Sequence, residues 1–350
     1  MSDALDELTA MQRYLGEETI EHGRGGIISR RDMMSRLVGI CGSAVAASAL
    51  LAACGDDSAA STSASSASSA SSAPSSSVTT AAAPATTAAS AATPATTASP
   101  APTTAPPPSV GKSPLAVPAN DPAVSAAAVT FTGPASTIFG YLARPAANTS
   151  AKRAGVLVIH EIFGLNDHIR DVTRRLAKNG YLALAVDLTS RAGGVDKVGP
   201  NGVSGALGQM TADNQVADLE AAAAYLGTQA DFSGKLGITG FCFGGGVTLN
   251  LAAGSTKVLA AVPYYGPAPS PASKLSATKA AVLAHYGATD SRINASIPDV
   301  EAAMAGKTFQ KRVWDGAGHA FNNDTGTNYN ETAALGAWKE TLDWFAKYLQ

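Results

Sequence analysis

The hydrophobic positions from residue 129 to the C-terminus form short apolar runs that alternate with amphipathic stretches. A continuous apolar run, such as 155–160, is typical of a strand buried on both faces of a parallel sheet. Stretches with apolar residues three or four positions apart predict helices. The predicted strands are 129–132, 137–142, 155–160, 181–186, 236–240, 258–264, 281–286 and 308–314, and the predicted helices are 170–178, 212–225, 297–304 and 331–348.

This alternation of strands and helices predicts an α/β fold. The first two strands flank Gly133-Pro134, which indicates an antiparallel hairpin at a sheet edge. The later strands alternate with helical patterns, as expected for a mostly parallel, doubly wound sheet with helices on both faces. In such a sheet, ligands bind beyond the carboxyl ends of the strands.

Polar residues that can carry chemistry directly follow several of the predicted strands. They are His160-Glu161, Asp187, Cys242, Asp290 and Gly316-Ala317-Gly318-His319. Because the carboxyl ends of parallel strands share one edge of a sheet, we expect a functional site there.

The stretch Gly240-Phe241-Cys242-Phe243-Gly244-Gly245-Gly246 lies between a predicted strand and a segment that can continue as a helix. A Gly-x-Cys-x-Gly turn needs small flanking residues because the backbone of its central residue is strained and its neighbours approach closely. The alternative is a glycine-rich corner that merely buries a cysteine. The remaining residues at the strand ends favour the functional interpretation.

The N-terminal part has a different pattern. Ser29-Arg30-Arg31 is followed by an apolar stretch, 37–53, which ends at Cys54. This order of charged, apolar and small residues resembles a twin-arginine export signal joined to a lipoprotein processing site. The resemblance implies cleavage before Cys54, lipidation of its thiol and attachment to the outer face of the cytoplasmic membrane, on the periplasmic or cell-surface side. A single membrane anchor or an amphipathic helix is the alternative.

The residues before this signal form a long leader, 1–28. Its apolar side chains recur at helical spacing and predict a helix to which the sequence assigns no function. These side chains are Leu5, Leu8, Met11, Tyr14 and Leu15.

Composition divides the chain into three parts. Of its 350 residues 45% are hydrophobic, but only 6% are aromatic. Residues 58–110 are almost only Ala, Ser, Thr and Pro, so they have nothing large to bury against the entropy of folding. We expect a leader and signal peptide at 1–53, the lipidation site and a disordered tether at 54–111, and one folded domain of about 240 residues at 112–350.

Charge and cysteine usage exclude several classes of function. The formal net charge is −2 and the folded part has no cluster of basic residues interleaved with aromatics, so a nucleic-acid partner is not expected. No spacing typical of metal ligands occurs, and we expect neither a metal nor a cofactor. The cysteines are Cys41, Cys54 and Cys242, so only the last lies in the folded domain, without a disulfide partner there.

A catalytic thiol needs a base or a local field that favours the thiolate. His319 is the best candidate base, because it follows the last strand in a glycine-containing loop from which an imidazole can reach across the sheet. His285 lies inside an apolar strand and is expected to be a core residue. The other competing histidines are His160 and His168.

The imidazole in turn needs an acceptor that sets its tautomer. Asp290 follows the preceding strand and is the best candidate, with Asp315 and Asp324 as alternatives closer to the histidine in sequence. The resulting order of nucleophile, acid and histidine is that of the α/β-hydrolase fold. The predicted helix that starts near Phe243 adds its N-terminal dipole, which favours the thiolate at Cys242.

The chain resembles the dienelactone hydrolase family from about Thr130 to Leu349. The residues that carry the resemblance are His160-Glu161-Ile162-Phe163-Gly164-Leu165-Asn166, Asp187-Leu188, Gly240-Phe241-Cys242-Phe243-Gly244-Gly245, Asp290 and His319-Ala320-Phe321. The resemblance implies a Cys242-Asp290-His319 triad, with Glu161 helping to generate the thiolate. It also implies an oxyanion hole formed by the backbone N–H groups of Phe243 and Ile162.

One departure concerns the substrate. Members of the family that act on dienelactone carry arginines for the substrate carboxylate, one of them shortly after the catalytic histidine, where this chain has Ala320-Phe321-Asn322-Asn323. Arg191 could supply a positive charge instead, or it could be a solvated loop arginine. The glycine-rich segment 193–208 is expected to be a loop lying over the site as a lid.

These observations predict a hydrolase of carboxylic esters or lactones that works through an acyl-thioester on Cys242. Its partners would be a small-molecule substrate and, through the lipid on Cys54, a membrane. A non-catalytic, surface-tethered binding protein on the same fold is the alternative. A redox or acyl-transfer role for Cys242 is a third hypothesis, although the domain has no second thiol to resolve a disulfide. The sequence does not indicate an oligomeric state.

Overall fold

The computed structural model describes residues 8–54, 111–147 and 151–350. Nearly all of the predicted tether, 54–111, lies outside them. The described residues form one compact unit. Its sheet contains strands β1 (Val124–Thr132), β2 (Thr137–Pro145), β3 (Arg153–Ile159), β4 (Leu182–Val186), β5 (Phe232–Phe241), β6 (Val258–Tyr264), β7 (Ala281–Gly287) and β8 (Phe309–Trp314).

The eight strands form one mixed sheet in the order β1-β2-β4-β3-β5-β6-β7-β8. Strands β1 and β2 pair as the predicted antiparallel hairpin, and β2 also runs antiparallel to β4. All further pairs, from β4 through β3 to β8, are parallel. The predicted mostly parallel sheet is therefore confirmed.

Ten α-helices accompany the sheet within the described residues. They are α1 (Ala10–Arg24), α2 (Arg30–Cys41), α3 (Ala44–Ala53), α4 (Asp167–Lys178), α5 (Val195–Gly208), α6 (Ala212–Gly227), α7 (Phe243–Gly254), α8 (Ser291–Asn294), α9 (Ile297–Ala303) and α10 (Glu331–Tyr348). Helices α4, α6, α7 and α10 pack around the parallel strands. The four helices predicted from periodicity in the folded domain correspond to α4, α6, α9 and α10, and the helix predicted in the leader corresponds to α1.

The core lies along the central strands. Every residue of β4 and of β7 is buried, which explains why both read as continuous apolar runs without alternation. Helix α4 has its N-cap at Asn166, whose side-chain oxygen accepts the backbone N–H of Ile169. Strand ends and helix starts thus come together at the carboxyl edge of the sheet.

The expectation of a loop over residues 193–208 was wrong. Residues 195–208 of this segment form helix α5, which is kinked at Gly199; this glycine has φ 66° and precedes Pro200. Its glycines and proline have low helix propensity, and packing against α2 compensates for this. A Cβ atom at Gly205 would lie 3.2–3.3 Å from backbone atoms of Gly39, so small residues allow the two helices to cross closely.

The N-terminal residues form three capped helices. The side chain of Thr9 forms a capping box with Gln12 at the start of α1, and Ser29 caps α2 by accepting the backbone N–H of Asp32. Among the described residues, no single helix is long and apolar enough to cross a membrane. Helices α2 and α3 meet the length and composition criteria only as a pair, with a bend of 111° between them.

The three N-terminal helices have a small apolar core of their own and a contact with the main one. The buried side chains shared among them are Leu8, Ile20, Met33, Leu37, Ala47 and Leu50. Tyr14, Leu15 and Ile40 instead join the cluster that includes the strands of the sheet. Helix α1, for which the sequence indicated no role, is therefore packed against the core that contains the sheet.

Candidate active site

The predicted turn after β5 places Cys242 between that strand and α7. Its backbone has φ 56° and ψ −122°, a conformation that residues other than glycine rarely adopt. A Cβ atom at Gly240 would collide with the backbone of Gly244, and one at Gly244 would collide with the backbone at Ile159. The glycines on either side of Cys242 are thus required by close backbone approach, as the motif predicts.

His319 and Asp290 come together at the same edge of the sheet. The imidazole Nδ1–H donates to Asp290 Oδ2 over 2.6 Å. Cys242 Sγ and a ring nitrogen of His319 lie within 4.8 Å of each other. The structure therefore brings together the thiol, imidazole and carboxylate that the sequence singled out. Asp315, an alternative to Asp290, is exposed.

Glu161 is buried close to the thiol. Its carboxylate accepts hydrogen bonds from Tyr265 Oη–H over 3.2 Å and from Asn323 Nδ2–H over 2.6 Å. Tyr265 has an unusual positive φ of 36°. Asn323 lies in the segment where the family pattern has an arginine, so here a neutral amide holds the glutamate.

The backbone positions expected to bind an oxyanion lie at the start of α7 and directly after Glu161. Phe243 is the first residue of α7, and the N-terminal end of this helix is directed toward the site. Ile162 directly follows Glu161, and both Phe243 and Ile162 are completely buried. Backbone N–H groups at these two positions are of the kind that stabilise developing negative charge in acyl transfer.

Other predicted residues have different partners. Arg191 donates to both carboxylate oxygens of Asp218 on α6, over 2.8 and 2.9 Å, and is not part of the hydrogen-bonded cluster around the thiol. Asp187 accepts from the backbone N–H groups of Thr189 and Val195, so it organises the loop after β4.

The remaining histidines are also engaged in structural contacts. His285 lies between the indole N–H of Trp314 and the hydroxyl of Thr341, which confirms it as a core residue, and burial lowers its pKa to about 3. His168 bonds Asp324, the second alternative acid, over 3.0 Å. His160 accepts the backbone N–H of Leu188.

Two residues of α1, which sequence reasoning did not connect with the site, contact the thiol and the imidazole. The hydroxyl of Tyr14 lies 3.3 Å from Cys242 Sγ. Glu18 Oε1 lies 3.1 Å from His319 Nε2. Arg292, two positions after Asp290, donates to Glu18 Oε2. The only indication of these contacts in the sequence was that Tyr14 and Glu18 are four positions apart and so share one face of a helix.

These contacts affect the ionisation of the site. Burial, and then the charge of Glu18, raise the pKa of the Cys242 thiol to about 11. Burial acts to lower the pKa of His319, but the charge of Glu18 and the bond to Asp290 outweigh it and raise the pKa well above its usual value. For Glu18, burial acts to raise the pKa, but the charges of His319 and Arg292 outweigh it and hold the pKa well below its usual range. The pair is thus a carboxylate facing an imidazolium.

The same three side chains form the group of potential metal ligands found within the described residues. Glu18, Cys242 and His319 each offer an atom within 4.8 Å of the others. The charges of this cluster are already balanced. Arg292 donates to Oε2 of Glu18, and Asp290 accepts from Nδ1 of His319. All three cysteines of the chain are free, and Cys54 ends α3 half-buried.

A mostly parallel sheet with a thiol on a strained strand-to-helix turn, an acid after β7 and a histidine after β8 defines an α/β-hydrolase. Residues 138–349 match the dienelactone hydrolase family. The chain belongs to this family and is a hydrolase.

Known relatives support this assignment. A "Putative carboxymethylenebutenolidase" of Salmonella typhimurium is 34% identical over 250 residues, which cover 67% of this chain and 92% of the relative. A protein of the same name from Methylorubrum extorquens is 39% identical over 208 residues, 55% of this chain and 72% of the relative. A solved structure described as a putative dienelactone hydrolase from Klebsiella pneumoniae is 33% identical, with a TM-score of 0.60 over 65% of this chain and 100% of its own.

Proposed function

We propose that this hydrolase cleaves carboxylic esters or lactones through an acyl-thioester on Cys242. The observation that carries the proposal is the Asp290–His319 hydrogen bond of 2.6 Å beside a thiol on a strained turn. Three separate strand-end loops supply these groups, and the arrangement is that of a nucleophile, a base and a group that orients the base.

In the proposed reaction, which requires that the charge of Glu18 no longer holds a proton on His319, the neutral Nε2 takes the proton of the Cys242 thiol as the sulfur attacks the substrate carbonyl carbon. The N–H groups of Phe243 and Ile162 bind the resulting oxyanion. The C–O bond to the alcohol then breaks, and His319 returns the proton to the departing oxygen. Water, deprotonated by His319, then attacks the thioester carbonyl carbon and the C–S bond breaks, which releases the acid. The protonated His319 returns its proton to the Cys242 thiolate. Asp290 keeps Nδ1–H as a donor throughout, so that Nε2 can accept.

The proposed substrate class is supported by the names of the relatives and by the local charges. The name carboxymethylenebutenolidase, carried by the relatives, describes a lactone that bears a carboxylate. In this chain Asn323, which is bonded to Glu161, stands in the segment where a clamping arginine is expected, and Arg191 is paired with Asp218. We therefore propose that neutral esters and lactones are accepted, and that any preference for a carboxylated lactone depends on a charge other than Arg191.

The proposal is tested with p-nitrophenyl esters and a pair of lactones that differ only in a carboxylate. The assay uses the full chain with a specific protease site placed among residues 56–107, so that turnover is measured with the N-terminal helices attached and after they are cut away. The variants Cys242→Ala and His319→Ala are assayed in the same way. Turnover that is lost in both variants supports the proposal. Equal turnover in all three proteins would exclude the triad, and no turnover in a folded chain would favour a binding protein.

We propose further that the protein is exported and anchored through a lipid on Cys54. The support is the order of Ser29-Arg30-Arg31, the apolar stretch 37–53 and Cys54, together with exposure of Arg30 and Arg31 at the start of α2. Mass spectrometry of membrane-extracted protein should find a mature chain that begins at a diacylated Cys54. Recovery of an intact Met1 from the membrane would contradict the proposal.

A further inference from the structure

Helix α1 covers the active site with two side chains from one of its faces. Tyr14 contacts the nucleophilic sulfur at 3.3 Å, and Glu18 contacts Nε2 of the catalytic histidine at 3.1 Å. Tyr14 and Glu18 are four positions apart, so they lie above one another on the helix surface. Both are buried, and Cys242 is only 2% exposed beneath them.

The contact of α1 with the domain is extensive. Arg292 donates to Glu21 over 3.0 and 3.2 Å and also to Glu18, and its guanidinium lies 5.0 Å from the centroid of the Tyr14 ring. At the other end of this face, the ring of His22 meets the edge of Phe163 at 5.1 Å. Leu15, between these contacts, is fully buried in the main core.

We propose that α1 is a built-in plug that keeps the enzyme latent while it is seated. An ester carbonyl must come within about 3–3.5 Å of the sulfur to react, and Tyr14 already occupies a position at that distance. Nε2 of His319 must accept the thiol proton, and Glu18 occupies that position as well. This inference rests on the proposed hydrolytic function, because it concerns access to the same thiol and imidazole.

A cavity beside the plug indicates the cleft that α1 fills in part. Its volume is about 450 Å³, and its walls include Met11 and Tyr14 of α1 on one side and Gly246 and Pro267 of the catalytic domain on the other. Tyr14 both lines this cavity and contacts Cys242. Removal of α1 would therefore join the cavity to the thiol, in a space of the size usual for small-molecule sites.

The position of α1 in the chain suggests how the plug is released. It precedes the twin-arginine pair and Cys54, so cleavage before Cys54 would remove α1 together with the signal. Arg30 and Arg31 are exposed while α1 is seated and can be recognised without moving it. The family match covers residues 138–349 and leaves α1 outside the part shared with relatives. Processing would then activate the enzyme only after export.

The test follows the reactivity of one thiol. In a chain with Cys41→Ser and Cys54→Ser, Cys242 is the remaining cysteine, and its alkylation by iodoacetamide at pH 8 is measured alongside hydrolysis of p-nitrophenyl acetate. The chain carries the protease site among residues 56–107. The intact chain is compared with the cut chain after gel filtration has separated the N-terminal fragment from the rest. Leu15→Asp, which places a charge on the buried face of α1, is compared with Val45→Asp on the exposed surface of α3.

Cutting and Leu15→Asp should each raise alkylation and hydrolysis by about tenfold or more, because a buried thiol reacts only when its cover opens. Val45→Asp should change neither. Equal alkylation of the intact and cut chains would overturn the proposal, and so would a loss of hydrolysis on cutting, which would make α1 a working part of the site. Higher alkylation with no hydrolysis would support the plug but contradict the proposed hydrolytic function. If Leu15→Asp does not fold, the cut chain decides.

Discussion

Glu18 Oε1 lies 3.1 Å from Nε2 of His319, although the two residues come from opposite ends of the chain. On its other side, the same imidazole donates to Asp290. A histidine between two carboxylates holds its proton strongly, and a protonated histidine cannot act as a base. Helix α1 therefore lies against both groups that the proposed reaction uses, with Tyr14 on the thiol and Glu18 on the imidazole.

The reactivity of Cys242 should depend steeply on pH in the intact chain. The thiol is buried next to Tyr14, Glu18, Glu161 and His319, and its pKa is raised to about 11, first by burial and then by Glu18. The thiolate is the reactive form, so the alkylation rate should rise about tenfold per pH unit between pH 8 and 10. Mass spectrometry of the alkylated peptide measures this, and a plateau below pH 8 would contradict it.

Glu18→Gln should shift that alkylation profile to lower pH. The substitution keeps the shape of the side chain but removes the negative charge that raises the thiol pKa. Glu17→Gln, at a neighbouring position of α1 that is only partly buried, is the matched control and should leave the profile in place. Superimposable profiles for Glu18→Gln and the parent chain would show that Glu18 has no electrostatic influence on the thiol.

Asp290→Asn should reduce kcat/KM for ester hydrolysis by about 10⁴-fold in the cut chain. An asparagine can still accept the backbone N–H of Ile293 as an N-cap, but its amide favours the wrong tautomer of His319. Asp315→Asn, on an exposed residue close to the histidine in sequence, is the control and should have little effect. Steady-state kinetics of the parent chain and the two variants measure this. An equal loss of kcat/KM in Asp290→Asn and Asp315→Asn would contradict the role assigned to Asp290.

Gly205→Leu should release the plug without touching the triad. The residue faces Gly39 at the crossing of α5 and α2, where even a Cβ atom would be 3.2–3.3 Å from backbone atoms. Overpacking costs about 1–3 kcal/mol, so the seated state should become roughly five- to 150-fold less favoured. Cys242 alkylation reports the change. Gly227→Leu, at an exposed position with open space around its Cβ, should leave the rate unchanged.

Asp324→Asn should destabilise the domain. Asp324 is completely buried, and it binds His168 over 3.0 Å and Arg175 over 2.6 Å. Removing its charge leaves Arg175 with only Asp171 as a carboxylate partner and should lower the free energy of unfolding by about 1–3 kcal/mol. Urea denaturation measures the loss. Asp343→Asn, in an exposed pair with Lys339, should not change the midpoint.

The carboxylate of Asp324 should also make the stability of the domain depend on pH. Burial acts to raise the pKa of Asp324, but the hydrogen bonds and charges of His168 and Arg175 outweigh it, so the pKa is lower in the folded state than in the unfolded chain. The stabilisation is therefore present above the ordinary aspartate pKa of about 4 and is lost as the pH falls further. In Asp324→Asn, the decline of stability below pH 4 should be shallower than in the parent chain.

Much of the fold could be predicted because its signals are local. The eight strands were predicted near their observed positions, since strands buried on both faces are apolar throughout. Helix α5 was missed because packing against α2, through Gly39 and Gly205, overrides the low helix propensity of its glycines and Pro200. Propensity cannot indicate a partner helix that lies far away in the chain.

The sequence by itself determined the turn that holds Cys242, the positions of Asp290 and His319 at strand ends, and the family. Each depends on spacing within one short segment and on the shared edge of a parallel sheet. Only the tertiary structure decided that Arg191 pairs with Asp218, that Arg292 pairs with Glu18, and that Tyr14 and Glu18 lie on the thiol and the imidazole. Such contacts depend on how separate segments pack, and no periodicity within one segment records them.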